Sequence, residues 1–154
     1  MIDHVAPDIL LLTDIDYDAG LAALSAFNAG LAQPSPHLFA LAPNTGVAPG
    51  LVMDGTGRIG EPRDAQGYGR FLGDGGMAIL SRYPFGADVQ DFSALLWRDL
   101  PGATLPTVDG QPFLSAEAQA IQRLSSSGHW IVPVDTPLGQ LSLWAFSATP
   151  PVFD

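Results

Sequence analysis

The residues best suited to chemistry in this 154-residue chain are three acids at alternate positions, Asp14, Asp16 and Asp18. They follow the apolar run Ile9-Leu10-Leu11-Leu12-Thr13. Ligands of open α/β sheets sit just outside the carboxyl ends of strands, which is where Asp14 would stand. Mg²⁺ needs only one or two carboxylates and leaves its other positions to water and substrate phosphate. The same acids also suit a helix N-terminus, where a carboxylate accepts free backbone N–H groups and meets the positive end of the dipole. Capping is the commoner use of an acid there, and the pattern alone leaves both roles open.

The only imidazoles are His4, His37 and His129, and none has HxxxH or HExxH spacing, so a zincin-type site is not supported. His37 opens an apolar stretch and reads as structural. His129 follows the Ser125-Ser126-Ser127-Gly128 turn and is a candidate general base, with a plain turn residue as the commoner alternative. Arg70, Arg82 and Arg123 are each able to meet a phosphate. With 16 acidic residues against 6 basic ones, pairing with surplus Asp is the competing role. There is no GxSxG, Walker A or GxGxxG context. Gly73-Asp74-Gly75-Gly76 precedes a strand rather than a helix, so it is no phosphate loop. Asp54 to Glu61 lacks the acidic spacing of an EF-hand. The chain has no Cys, which excludes disulfides, thiolate metal sites and a Cys nucleophile.

These residues need elements to hold them. Pro7 to Thr13 reads as a strand buried on both faces, as in a parallel or sandwiched sheet. Leu21, Leu24, Phe27 and Leu31 give one helical face, capped by Asp16 or Asp18 and ended by Pro34 and Pro36. His37 to Ala42 reads as a second strand and Gly76 to Ser81 as a third. Between them Pro43 to Gly76 is a long Gly-, Asp- and Arg-rich loop, of the size that is usually functional or mobile. Ala87 to Trp97 holds a candidate fourth strand. Ser115 to Leu124 reads as a helix with Ser115 as N-cap. Trp130 to Val134 and Leu141 to Ala145 form a hairpin across Thr136-Pro137-Leu138-Gly139.

Composition bounds the whole. With 47% hydrophobic and 14% charged residues, disorder is excluded. The 17 Gly and 14 Pro residues argue against a helical bundle and for many turns. All six basic residues are Arg, and the net charge of -10 opposes tight binding to long nucleic acid. No signal peptide or transmembrane run is visible, which leaves no membrane partner and the cytoplasm as the default compartment. The mix implies an α/β or α+β sandwich, strands in the majority. The chain starts almost directly on a strand and stops mid-loop at Thr149-Pro150-Pro151-Val152-Phe153-Asp154. It therefore reads as one partial domain over 1–154, a piece of something longer.

Several strings together resemble the endonuclease/exonuclease/phosphatase family. Pro7-Asp8-Ile9-Leu10-Leu11-Leu12-Thr13-Asp14 is similar to its "PDIlgLqE" strand, and Gly76-Met77-Ala78-Ile79-Leu80-Ser81-Arg82-Tyr83-Pro84-Phe85 to its "GxAILSRxPI" strand. Arg123-Leu124-Ser125-Ser126, His129-Trp130 and the Thr149 to Asp154 tail resemble a bacterial branch. The resemblance implies a deoxyribonuclease-I-like four-layer α/β sandwich, of which this chain would hold the N-terminal half to two-thirds. It also implies hydrolysis of phosphoesters with Mg²⁺ or Mn²⁺ as cofactor, the metal polarising phosphate and a His–acid pair activating water. Asp14 falls at the family's metal-binding Glu, one methylene shorter. Ser147 falls at the branch's catalytic His, and a hydroxyl cannot serve as a base near neutral pH. The family's first-strand Asn and its "GDxN" and "DH" strands have no counterpart within the chain.

The expectation is thus part of a metal-dependent phosphoesterase or nuclease, weak or inactive in isolation. Its substrate would be a small phosphoester or phosphodiester rather than long nucleic acid. The alternative is a non-catalytic binding module on the same fold, with self-association through an incomplete sandwich. Metal at Asp14, phosphate at Arg82 and Arg123, and Ser147 or His129 in the catalytic position are the site expectations.

Overall fold

The structure, a computed structural model, describes residues 1–148; the Thr149 to Asp154 string lies outside the described residues. In chain order the elements are α1 (Ile2–Val5), β1 (Ile9–Ile15), α2 (Ala22–Ala29), β2 (His37–Phe39), β3 (Gly76–Ser81), β4 (Gln90–Asp91), β5 (Thr107–Val108), β6 (Gln111–Pro112), α3 (Ala116–Ile121), β7 (His129–Thr136) and β8 (Gly139–Phe146). Single 3₁₀ turns stand at Pro62–Asp64 and Trp97–Asp99.

The strand that is buried throughout is β3, not β1. β3 is the middle of a sheet ordered β1-β3-β2, antiparallel to both neighbours. Its alternate side chains serve two interiors, as strand periodicity requires. Ala78 and Leu80 pack with Leu24 of α2, and Leu10, Leu12 and Leu38 join them. Met77 and Ile79 face the second sheet, β4-β7-β8, and pack on Trp130, Val132 and Ala145. Each of the larger side chains among them, Leu, Ile, Met or Val, contributes about 2 kcal/mol when taken fully from water. Phe39 bridges the sheets edge-on to Trp130, ring centroids 5.6 Å apart. The result is helix on sheet on sheet. β1 is half-exposed because it has β3 on only one side among the described residues.

Periodicity misassigned one residue of α2. Asn28 is buried and Phe27 exposed, so the inward face runs Leu21, Leu24, Asn28, Leu31. Asn28 is satisfied there because its amide donates to the Ser35 carbonyl at 3.0 Å and its oxygen accepts from the Ser35 N–H at 2.8 Å. A short hairpin, β5-β6, also went unread. Its turn residues Asp109 and Gly110 both have positive φ, 51° and 75°, the backbone that Asp-Gly favours in tight hairpins.

The long loop after β2 is tied down by two buried polar side chains. Asp64 is 2% exposed and accepts backbone N–H bonds from Met53, Gly60 and Glu61. Asn44 is fully buried. Its amide donates to the Ser93 carbonyl at 2.7 Å and the Ser125 carbonyl at 2.6 Å, and its side-chain oxygen accepts from Arg123. Its backbone N–H donates to Ser127, and its carbonyl accepts from Val47 and Gly67. One residue thus joins four segments that are distant in sequence.

Asn44→Ala would remove this partner from the buried Ser93 carbonyl, the partly buried Ser125 carbonyl and the Arg123 guanidinium. The expected loss is on the order of 3–5 kcal/mol, read as a lowered midpoint in denaturant unfolding at unchanged m-value.

Candidate functional site

β1 and β8 end, and β3 and β7 begin, at the same side of the sandwich, and a cleft opens between them. Its volume is about 960 Å³, and Thr13, Asp14, Thr45, Arg63, Tyr68, Asp74, Gly75, Ser126, Ser127 and Ser147 line it. A neighbouring lobe of about 700 Å³ shares Arg63, Tyr68, Ser126 and Ser147 with it and adds Trp97, Gln122, Arg123 and His129.

Three acids that the sequence left undivided have three separate tasks. Asp18 caps α2, accepting from the N–H groups of Ala22 at 2.8 Å and Ala23 at 3.0 Å. Asp16 accepts from the Gly75 N–H at 3.1 Å and so braces the turn before β3. Asp14 is the extra residue of a β-bulge, where the pairing with β3 shifts between Thr13 and Ile15. Bulges re-aim a side chain, and this one needs a left-handed backbone, φ 59°. Asp tolerates that conformation better than Glu does, which gives a physical reason for the shorter acid here. The Asp14 carboxylate lies over Gly75; a Cβ on that glycine would sit 2.8 Å from Oδ1. Asp14 makes no hydrogen bond or ion pair among the described residues.

The arginines divide differently from the sequence expectation. Arg82 is not at the cleft. It pairs with Asp8 at 3.4 Å and donates to Gln33 at 2.7 Å, beyond the far end of β3. Six strand residues put it about 20 Å from Asp14. Arg123 lines the smaller lobe, but its guanidinium is engaged by Asn44. The arginine common to both lobes is Arg63, which the sequence reading passed over. It sits in the 3₁₀ turn that Asp64 and Glu61 cap reciprocally. Its Nε is 3.6 Å from Asp54, and its side chain is 64% exposed, free enough to reach an anion. The Thr56 N–H, first, and Arg63, to a lesser degree, hold the Asp54 carboxylate below its ordinary range. The only forward signal for Arg63 was its place in the long loop.

His129 and Ser147 lie side by side, because His129 pairs with Phe146 in the β7-β8 ladder. The imidazole is flanked by Phe92 and Phe146, with centroids 5.8 and 5.7 Å away, and no carboxylate orients it among the described residues. Both rings are tilted by 56° to it, so the contacts are packing ones, and no orienting acid of the kind a general base uses is beside it among the described residues. Ser147 lines both lobes.

A model of the Endonuclease/Exonuclease/phosphatase family matches residues 1–148. No curated protein and no solved structure matches the chain. The family's fold is deoxyribonuclease-I-like, and its members generally use divalent metal ions. The described residues contain no group of three His, Cys, Asp or Glu placed to share a metal. They do offer the unengaged Asp14 carboxylate beside a hydroxyl-lined cleft. That donor set fits a cation of the Mg²⁺ type, which keeps most of its own water and takes phosphate oxygens, and it does not fit a closed protein cage.

The cap has a pH signature. The Ala22 and Ala23 N–H groups hold the Asp18 carboxyl below its ordinary value of 3.8. Its stabilisation is therefore fully present above that value and is lost as pH falls through the lowered one. Asp18→Asn is expected to lower the melting midpoint near neutral pH and to flatten its fall below about pH 4. Melts across that range check both.

Proposed function

The chain belongs to the endonuclease/exonuclease/phosphatase family, a group of nuclease- and phosphatase-type hydrolases, and on that premise we propose that its cleft binds a small phosphoester or phosphodiester beside a divalent ion held at Asp14. The observation that carries this reading is the Asp14 bulge: a strained position holds an unengaged carboxylate at the mouth of a donor-rich cleft. A bound Mg²⁺ or Mn²⁺ would polarise the phosphoryl group and supply water of lowered pKa. Asp14 would hold that ion, with Asp74 on the same cleft adding negative charge. Arg63 would offset charge on the phosphate from the other side. The Thr13, Ser127 and Ser147 hydroxyls can donate to phosphate oxygens.

The same residues make proton transfer the weak part. Ser147 stands at the branch's His position and cannot titrate near neutral pH. His129 is packed between the Phe92 and Phe146 rings and has no orienting acid among the described residues. Hydrolysis by these residues is therefore slow, since a positioned acid–base group typically contributes 10²–10⁴-fold. The chain's charge of -10 favours a small ester over a polyanion. Ser147 also favours a second reading, a module on the same fold that binds a phosphoester without turning it over.

Asp14→Asn keeps the shape and the tolerance of left-handed backbone but removes the charge. Millimolar Mg²⁺ or Mn²⁺ is expected to raise the wild-type melting midpoint and to leave that of Asp14→Asn unmoved. Release of phosphate or alcohol from small phosphoesters then separates the two readings. Slow metal-dependent turnover absent in Asp14→Asn supports hydrolysis; metal binding without turnover supports the binding module. A wild-type midpoint indifferent to both metals would sink the assignment of Asp14.

A further inference from the structure

An outer strand of a sheet presents a row of backbone N–H and C=O groups with which another strand can pair. Most such edges of this molecule are guarded. β2, β4, β5 and β6 are only three or two residues long. β1 is longer, but the Asp14 bulge interrupts it, and Asp8 and Asp16 flank it. Shortness, bulges and charge are the devices that keep edges from pairing. β8 has none of them. It runs eight residues in unbroken register with β7, and β7 is its neighbour on one side only among the described residues. Alternate residues of β8 therefore turn their backbone groups outward. No Asp, Glu, Lys or Arg occurs from Thr136 to Ala148, and no Pro occurs within the strand.

The same strand exposes large apolar side chains. Leu143 and Ala145 turn inward to the core, whereas Trp144 and Phe146 are 68% and 58% exposed on the outer face. There Trp144 stands opposite Ile131 and Phe146 opposite His129, with Phe92 beyond. Charge constrains what can cover this edge. Copies of a chain with net charge -10 repel one another over most of their surface. They approach at least cost where neither carries charge, and β8 with its turn is such a place. Antiparallel pairing of two β8 strands about a two-fold axis keeps both outer faces on one side of the joined sheet. Trp144 and Phe146 of the two copies then extend one apolar strip. The opposite edge of the same sheet is the two-residue β4, so the pairing closes at two copies.

We propose that β8 is the interface through which two copies of this chain pair, edge to edge and antiparallel, doubling the three-stranded sheet β4-β7-β8. Phe146 and Ser147, at the end of that strand, line the smaller lobe, and Ser147 lines the large cleft as well. Pairing about the middle of β8 brings the turn Thr136 to Gly139 of the other copy beside them, so the second copy stands at the rim of the site. The pairing does not depend on what the cleft binds.

Sedimentation velocity of the full chain, from micromolar to millimolar concentration, is expected to show the mass rising from 16.2 kDa toward twice that value. Added salt is expected to strengthen the association, because it screens the repulsion between acidic copies. Hydrogen exchange of the backbone amides of 139–146 should slow as the dimer forms. Trp144→Lys puts a charge on the open edge and is expected to raise the dissociation constant roughly thirtyfold or more. Ser142→Lys, on the same face of the strand, should act alike and keeps the test open should Trp144→Lys fail to fold. Val108→Lys changes a comparably exposed apolar residue on β5 and should leave the association as it is. A chain that stays at 16.2 kDa throughout would overturn the pairing, whether its β8 amides exchange freely or are shielded by another part of the same chain. So would species that grow beyond two copies, association that weakens with salt, or association that Val108→Lys disrupts as fully as Trp144→Lys.

Discussion

The buried amide of Asn44 is the constraint on which the cleft depends. It bonds the carbonyls of Ser93 and Ser125 and accepts from Arg123, partners 49, 81 and 79 residues away. Its own backbone holds Ser127, Val47 and Gly67. Every donor and acceptor of the residue is used, in a place where an unmade bond costs the full desolvation of the group. The arrangement fixes the crossing of three loops, and those loops are the walls of the cleft. Arg123 belongs to this frame through one of its guanidinium nitrogens.

Close backbone approach is the second part of the same frame. Gly67 passes so near Ser126 that a Cβ would lie 1.9 Å from its carbonyl oxygen. Gly46 and Gly69 are confined as well, with Cβ approaches of 1.8 and 2.5 Å. A glycine-rich loop of a size that reads as functional or mobile is here a packed wall, held by Asn44 near its start and by Asp64 further along. The acidic character of the chain acts in the same place. Asp14 and Asp74 make the cleft negative, so Arg63 and a cation are what would let a phosphate in.

Much of the fold was legible. β3 was read with its observed bounds, because Gly76-Met77-Ala78-Ile79-Leu80-Ser81 is a continuous apolar run closed by Arg-Tyr-Pro. The β7-β8 hairpin followed from two apolar stretches around Thr136-Pro137-Leu138-Gly139, and α3 from Ser115, whose hydroxyl accepts the Ala118 N–H. Misreadings came where a polar group replaced an apolar one or where burial was inferred from hydropathy alone. Asn28 took the inward place of Phe27 because Ser35 satisfied its amide. β1 is as apolar as β3 yet lies at an edge.

The sequence by itself determined β3, the β7-β8 hairpin, the Ser115 cap and the family, and put Asp14 near the end of β1, because these rest on short-range periodicity, local hydrogen bonds and contiguous motifs. Only the tertiary structure decided which side chains share the cleft. It removed Arg82 to the far end of β3, engaged Arg123 with Asn44, and packed His129 between Phe92 and Phe146. It also brought in Arg63. The reason is that the cleft is closed by hydrogen bonds spanning 49 to 81 residues. No local pattern carries the identity of a partner at that separation, and a bond's value to the fold is set by burial that exists only once the chain has closed.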